Sequence, residues 1–273
     1  MKAYARSRRY VAFAFVLVVA VGLPTAAGSD GGPNGPYAPV SSDGSGGRAN
    51  SVIPPDERVR VPSTRQSPFS ATVFITFRMT LTGGTSSCSG FLIGPDTVAT
   101  AAHCVAPAGG SNFYPPSTYR VSAGRNGTSF PYGTCSATNL AAPVGWFTSG
   151  TTTFDFAAIK LNCSVGNQAG WLPLSVRSDS LTGERLIVGG YPGEAPETQA
   201  IGTGRVASTS ATIIYYDVDT TPGQSGAPAW QVTSACGGIC VVAIHTSGNA
   251  PPAEPFNHGT RIIPQVAGFY AGV

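Results

Sequence analysis

The sequence predicts an all-β protein built from many short strands. Seven runs of aliphatic, β-branched and aromatic residues follow residue 60, each four to seven residues long. Gly, Pro, Ser, Thr and Asn separate them, and the whole chain holds 35 Gly and 23 Pro. Helical periodicity is confined to one short stretch, Pro264 to Tyr270. Short strands at modest spacing with turn residues between them mean a β-sandwich or β-barrels, and periodicity alone does not choose between the two.

In chain order, Lys2, Arg6, Arg8 and Arg9 precede the apolar run Val11 to Leu23 and the small residues Thr25-Ala26-Ala27. A basic head, an apolar stretch and a small-residue site make an export signal, so residues 1–27 are expected to be removed. The apolar run is short for a membrane span, and Arg8-Arg9 leaves the twin-arginine route open beside the general one. Residues 28–50 are Gly, Ser and Pro with almost nothing to bury, hence expected to be disordered. The strand candidates are Ala71–Phe77, Gly90–Ile93, Tyr119–Ser122, Phe156–Leu161, Arg185–Val188, Thr212–Tyr216 and Ile239–Ile244.

The formal charge of +3 belongs to the leader. Five of the 16 Lys/Arg and two of the 13 Asp/Glu lie in the first 50 residues, which leaves 11 of each sign in the rest. A neutral body with no basic stripe argues against nucleic acid or an anionic membrane as partner. All six cysteines lie after residue 87. An even number behind an export signal implies disulfides in an oxidising compartment. Neither paired C-x-x-C elements nor an H-x-x-x-H helix is present, so no metal and no cofactor are expected.

Three segments carry chemistry. In Thr221-Pro222-Gly223-Gln224-Ser225-Gly226-Ala227-Pro228, a serine between glycines can present its hydroxyl outward while neighbouring N–H groups converge. Thr97-Val98-Ala99-Thr100-Ala101-Ala102-His103-Cys104 ends an apolar run in a histidine, the base that a serine hydroxyl needs. Phe154-Asp155-Phe156 places a carboxylate at the start of an apolar run, where it is costly unless paired. Read singly, each has a plain structural explanation; the order His, Asp, Ser is what joins them.

These segments resemble the His, Asp and Ser motifs of the chymotrypsin-like serine proteases. The likeness is nearest to the bacterial glutamyl endopeptidases, which cleave after acidic residues. It extends over Ser51-Val52-Ile53 with Asp56 and Arg58, Gly94-Pro95, Gly124 to Ser129, Pro131-Tyr132-Gly133 and Gly189 to Gly193. An α/β-hydrolase would place its serine first in a G-x-S-x-G elbow, and Ala227 stands where the last glycine belongs.

The resemblance implies two six-stranded antiparallel β-barrels, about residues 66–150 and 165–262, and a C-terminal helix at about 263–271. Residues 51–273 form the protease domain, 28–50 a propeptide ending near Asn50/Ser51, and the product is a secreted, extracellular monomer. His103, Asp155 and Ser225 are the expected catalytic residues, with the N–H groups of Gly223 and Ser225 as the oxyanion hole. Cys88 and Cys104 match the cysteines that clamp the loop behind the histidine; Cys236 and Cys240 can close a local ring across two glycines, which leaves Cys135 with Cys163. Gln224 departs from the trypsin pattern, where an Asp pairs with the new N-terminal amine. A neutral amide cannot form that ion pair, so activation works otherwise.

His245, Thr220 and Ser247 are the residues expected to receive a substrate carboxylate. The expected partners are protein or peptide substrates cut after Glu, less readily after Asp. Asp219 supports a rival, trypsin-like preference for Lys or Arg, and a non-catalytic binding module on the same fold is the reading from another class. His258, in no motif, reads as surface or structural.

Overall fold

The computed structural model describes residues 52–234, 237–248 and 256–273. Six strands form a closed barrel in the order β2-β3-β4-β7-β6-β5: β2 (Thr72–Arg78), β3 (Thr85–Leu92), β4 (Thr97–Thr100), β5 (Arg120–Ala123), β6 (Cys135–Ala141) and β7 (Ala157–Leu161). Alternation puts Val73, Ile75 and Phe77 of β2 into the core with Phe91, Val98, Val121 and Ile159. Phe74 faces the other way, and its ring lies 5.2 Å from that of Tyr191.

The second barrel takes β8 (Arg185–Gly190), β9 (Ala200–Thr209), β10 (Ile213–Tyr216), β11 (Pro228–Thr233), β12 (Gly238–Ser247) and β13 (Asn257–Arg261). It runs β9-β10-β13-β12-β11-β8 and closes because β8 pairs back onto β9. The short strand β1 (Val59–Arg60) adds to β9, with Val59 opposite Ile201 and Arg60 opposite Ala200. The fold is thus the predicted pair of six-stranded antiparallel barrels. Short helices α1 (Val144–Ser149) and α2 (Gly166–Ala169) sit in the connections, and α3 (Pro264–Ala271) ends the chain. From α3, the Tyr270 hydroxyl donates to the Ala157 carbonyl at 3.0 Å and Phe269 meets Phe156 edge-on at 5.2 Å, so the C-terminus straps the first barrel.

Two boundaries differ from expectation for physical reasons. The first barrel runs on to Leu161, past residue 150, because β7 fills the gap between β4 and β6. Besides the short β1 and β4, strands β6, β9, β11 and β13 lie outside the predicted runs. Their sequences are polar, glycine-bearing or opened by a proline, and pairing with neighbours, rather than their own apolar pattern, makes them strands.

Disulfides join Cys88 to Cys104 and Cys135 to Cys163. The pair expected at Cys236 and Cys240 falls partly outside the described residues, since Cys236 is one of those omitted. The second bridge ties the start of β6 to the loop after β7 across 28 residues. Replacing Cys135 and Cys163 together by Ala should cost about 2–4 kcal/mol of stability, read as a lower urea midpoint with an unchanged far-UV spectrum.

Candidate active site

His103 sits in a one-turn 3-10 helix, Ala102–Cys104, directly after β4. The bridge from the next residue to Cys88 of β3 anchors that turn. Asp155 follows a second 3-10 turn, Thr152–Phe154, two residues before β7, and is 4% exposed. Such burial is costly for a carboxylate unless it is met by donors. Oδ1 accepts the His103 backbone N–H at 2.9 Å, and Oδ2 lies 2.8 Å from His103 Nδ1. One carboxylate therefore holds both the main chain and the ring of the histidine. With Nδ1–H donating to Asp155, the other ring nitrogen is left as an acceptor.

Ser225 lies in the turn between β10 and β11, on the other barrel. The turn is closed by Gln224 N–H to Thr221 C=O at 3.1 Å and Ala227 N–H to Gln224 C=O at 2.9 Å. Gly223 has φ +99°, and a Cβ there would lie 2.7 Å from Gly193 N and 2.8 Å from Tyr191 O. Gly226, at φ +84°, would drive a Cβ into Thr100 and the Ser89 carbonyl. Both positions need glycine on conformation and on space. Among the described residues the Gly223 and Ser225 N–H groups have no hydrogen-bond partner, which leaves two donors at the serine.

Ser89 of β3, fully buried, grips this turn from the first barrel. Its N–H donates to Ser225 C=O at 2.8 Å, and its hydroxyl donates to Gly223 C=O at 2.9 Å while accepting from Tyr191 N–H at 2.8 Å. Nothing in the sequence reading pointed to Ser89; its place directly after Cys88 was the available signal.

An open cleft of about 700 Å³ collects these groups: His103, Asp155, Gly223 and Ser225 line it together with His245, Ser247 and Thr221. Phe77, Met79 and Trp146 form apolar parts of the wall. His245 is buried near the end of β12, with Nδ1 2.6 Å from the Tyr216 hydroxyl. Burial pushes its imidazole down to about 3, and the neighbouring His258 and His103 act in the same direction. Burial likewise raises Tyr216 well above the usual phenol value, so a neutral phenol backs a neutral imidazole.

Thr220 does not line the cleft. It is fully buried, and among the described residues its hydroxyl has no partner. His258 is half-buried against the Tyr215 ring at 5.5 Å, and burial lowers its pKa. Asp219 is 5% exposed and is not part of the cleft wall; its two oxygens accept the N–H groups of Ile53 at 2.7 Å and Glu57 at 2.8 Å. Tyr216 was missed by sequence reasoning because a tyrosine in a strand run looks like core.

A histidine and an aspartate on one barrel, facing a serine turn on the other, define the chymotrypsin-like architectural class. Comparison with known proteins agrees. The chain belongs to the family of trypsin-like peptidase domains, whose model matches residues 88–239. It is 39% identical over 220 residues to the glutamyl endopeptidase of Bacillus licheniformis, covering 79% of this chain and 66% of that protein. It is also 38% identical over 215 residues to a Bacillus subtilis protein named extracellular metalloprotease, covering 78% and 66%. The chain thus spans just under two thirds of the length of these relatives. Among solved structures, a Glu endopeptidase in complex with MPD aligns with TM-score 0.71 and 28% identity, over 81% of this chain and 98% of that one. The protease Anisep of Arthrobacter nicotinovorans, at 20% identity and TM-score 0.61, covers 78% of this chain and 97% of its own and shares the fold.

The buried neutral His245 has a consequence for stability. Its folded pKa lies below the unfolded value of about 6.5, so as pH falls the unfolded chain takes up a proton that the folded protein refuses. The contribution is therefore intact above about pH 6.5 and is lost progressively toward the folded value of about 3. Comparing urea unfolding of the wild type and H245Q between about pH 6.5 and 4, the variant should lose stability less steeply, by up to about 1.4 kcal/mol per pH unit.

Proposed function

We propose that this protein is a secreted serine endopeptidase that cuts peptide bonds after Glu and, less readily, after Asp. The observation that carries the chemistry is the two-point hold of Asp155 on His103, at 2.9 and 2.8 Å, in the same cleft as Ser225. On this reading His103 takes the proton from the Ser225 hydroxyl as its oxygen adds to the substrate carbonyl carbon. The resulting oxyanion is met by the N–H groups of Gly223 and Ser225, which are otherwise unpartnered among the described residues. Protonated His103 then gives its proton to the departing amine as the C–N bond breaks, leaving an acyl-enzyme. Water, deprotonated by the same imidazole, releases the acid and restores the serine.

Acidic specificity is supported by what faces the cleft. The 2.6 Å contact between the Tyr216 hydroxyl and His245 Nδ1 fits either tautomer; in the one where the phenol donates, Nε2–H would be the donor for a side-chain carboxylate. An incoming anion would also favour protonation of His245. Exposed Ser247 on the cleft wall is the further donor assigned to that group; Thr220, expected beside it, is buried away from the cleft and takes no part. The trypsin-like reading needs a free Asp219 carboxylate, and both of its oxygens are engaged by the N-terminal segment. The names carried by the Bacillus licheniformis relative and the Glu endopeptidase structure agree with acidic specificity. Removal of residues 1–27 and of 28–50 before function belongs to the same proposal; these segments lie outside the described residues.

The name of the Bacillus subtilis relative suggests a metal instead. The donor set does not fit one: among the described residues the single cluster of three possible ligands is Cys88, His103 and Cys104. Both sulfurs are spent on each other in a disulfide, and the imidazole is bound to Asp155.

With peptides differing only in the residue before the scissile bond, hydrolysis should be fastest after Glu. Faster cleavage after Lys or Arg would overturn the acidic reading. A serine-directed phosphonate should label Ser225, whereas an inert binding scaffold would stay unlabelled. In a second measurement, hydrolysis should persist after dialysis against a chelator such as EDTA with 1,10-phenanthroline; abolition reversed by added zinc would return the metal reading.

A further inference from the structure

The N-terminal segment reaches beneath the serine turn and delivers one cation there. Arg58 is 5% exposed. Its Nε and Nη2 donate to Asp56 at 3.0 and 2.8 Å, and its Nη1 lies 2.6 Å from Glu194 Oε1. Nη1 also donates to the Thr221 hydroxyl at 2.7 Å and reaches Gln224 Oε1 at 3.5 Å. The Thr221 hydroxyl in turn donates to Glu194 Oε2 at 2.8 Å, while Gln224 Oε1 accepts the Thr221 N–H at 3.0 Å. One guanidinium therefore joins the N-terminal segment, the loop after β8 and both ends of the turn Thr221–Gln224.

We propose that Arg58 is a positioning residue of the reaction: with its fork seated on Asp56, its Nη1 holds Thr221 and reaches Gln224 Oε1, which itself accepts the Thr221 N–H, and so keeps the peptides between them turned with the Gly223 N–H toward the substrate. The inference rests on the serine endopeptidase reading above and adds to it the device that orders the oxyanion turn. Gly223, with φ +99°, has no side chain to resist rotation of its flanking peptides, so the turn needs holding from its ends. Gly193 N–H to Pro222 C=O, at 2.6 Å, holds one side, and Ser89 holds the Gly223 carbonyl. The remaining contacts converge on Gln224 and Thr221, where Arg58 sits.

The segment bringing Arg58 is itself fastened on both sides. Asp219 accepts the N–H groups of Ile53 and Glu57, and Val59–Arg60, directly after Arg58, pair with β9 as strand β1. Burial pushes Asp56 up, but the Arg58 hydrogen bonds and charge outweigh it and hold its carboxyl below the ordinary value. A cation with two carboxylates is thus fixed under the turn by a side chain. This assigns a task to the uncharged Gln224: its amide oxygen accepts from a cation that already has its counter-ions.

The test compares wild type, R58M and T221V. For each, kcat and KM are measured on a Glu-containing peptide, with the affinity for a peptide aldehyde and for the matching unreactive amide. The aldehyde adds to the serine and places an oxyanion in the hole; the amide reports ground-state binding alone. Folded R58M should lose about 10²-fold in kcat with KM within about threefold, and the aldehyde-to-amide affinity ratio should fall in parallel. A residue that only stabilised the fold would lower the urea midpoint and leave that ratio unmoved. If circular dichroism shows R58M unfolded, T221V decides, with an expected fall of about tenfold in kcat and in the ratio. Values within about threefold of wild type in folded R58M, or in T221V where R58M is unfolded, overturn the proposal. A wild type that neither cuts the peptide nor takes a phosphonate at Ser225 overturns the enzymatic reading and, with it, this one.

Discussion

The histidine and the serine stand on different barrels, so the seam between barrels has to be held to within a hydrogen bond's tolerance. That seam is concentrated at Ser89. From β3 its N–H and hydroxyl take two carbonyls of the serine turn, and its oxygen receives the N–H of Tyr191. The adjacent Cys88 is bonded to Cys104, the neighbour of His103. Two consecutive residues of one strand therefore connect the serine turn and the histidine turn, one by hydrogen bonds and the other by a covalent bridge. Nearby, Gly190 leaves no room for a side chain, since a Cβ would approach Ser89 Oγ to 2.7 Å.

Buried charge sorts the rest of the site. Asp155 and Asp219 are almost equally hidden, at 4% and 5% exposed, yet their donors differ. Asp155 is met by the backbone and ring of His103 and faces the cleft. Asp219 is met by two backbone N–H groups of the N-terminal segment, and burial still raises its carboxyl above the ordinary value. The first aspartate is available to chemistry; the second is committed to fastening a segment. Arg58 follows the same rule with opposite sign, since its burial is sustained by Asp56 and Glu194 together.

The buried imidazole at the cleft wall is kept neutral. Burial, with the neighbouring His258 and His103, keeps the His245 imidazole neutral down to about 3. Tyr216, directly behind it, orients the ring from the core side.

Much of this was legible in the residues themselves. Runs of β-branched and aromatic residues such as Ala71–Phe77 announced strands, and the turn around Ser225 announced itself through the glycines at 223 and 226, both at positive φ in the fold. The order His103, Asp155, Ser225 identified which side chains to test for proximity. Sequence could not show Ser89, Tyr216 or the task of Arg58, because a serine, a tyrosine and an arginine acquire those tasks only from partners at separations of 134, 29 and 163 residues. Nor could it place Asp219, since the same carboxylate is a pocket wall or a buried fastening according to which N–H groups the folded chain brings to it. Local pattern and turn chemistry determined the strands and the serine turn; closure of the two barrels decided which polar groups meet, because hydrogen bonds between distant segments exist only after the segments are packed.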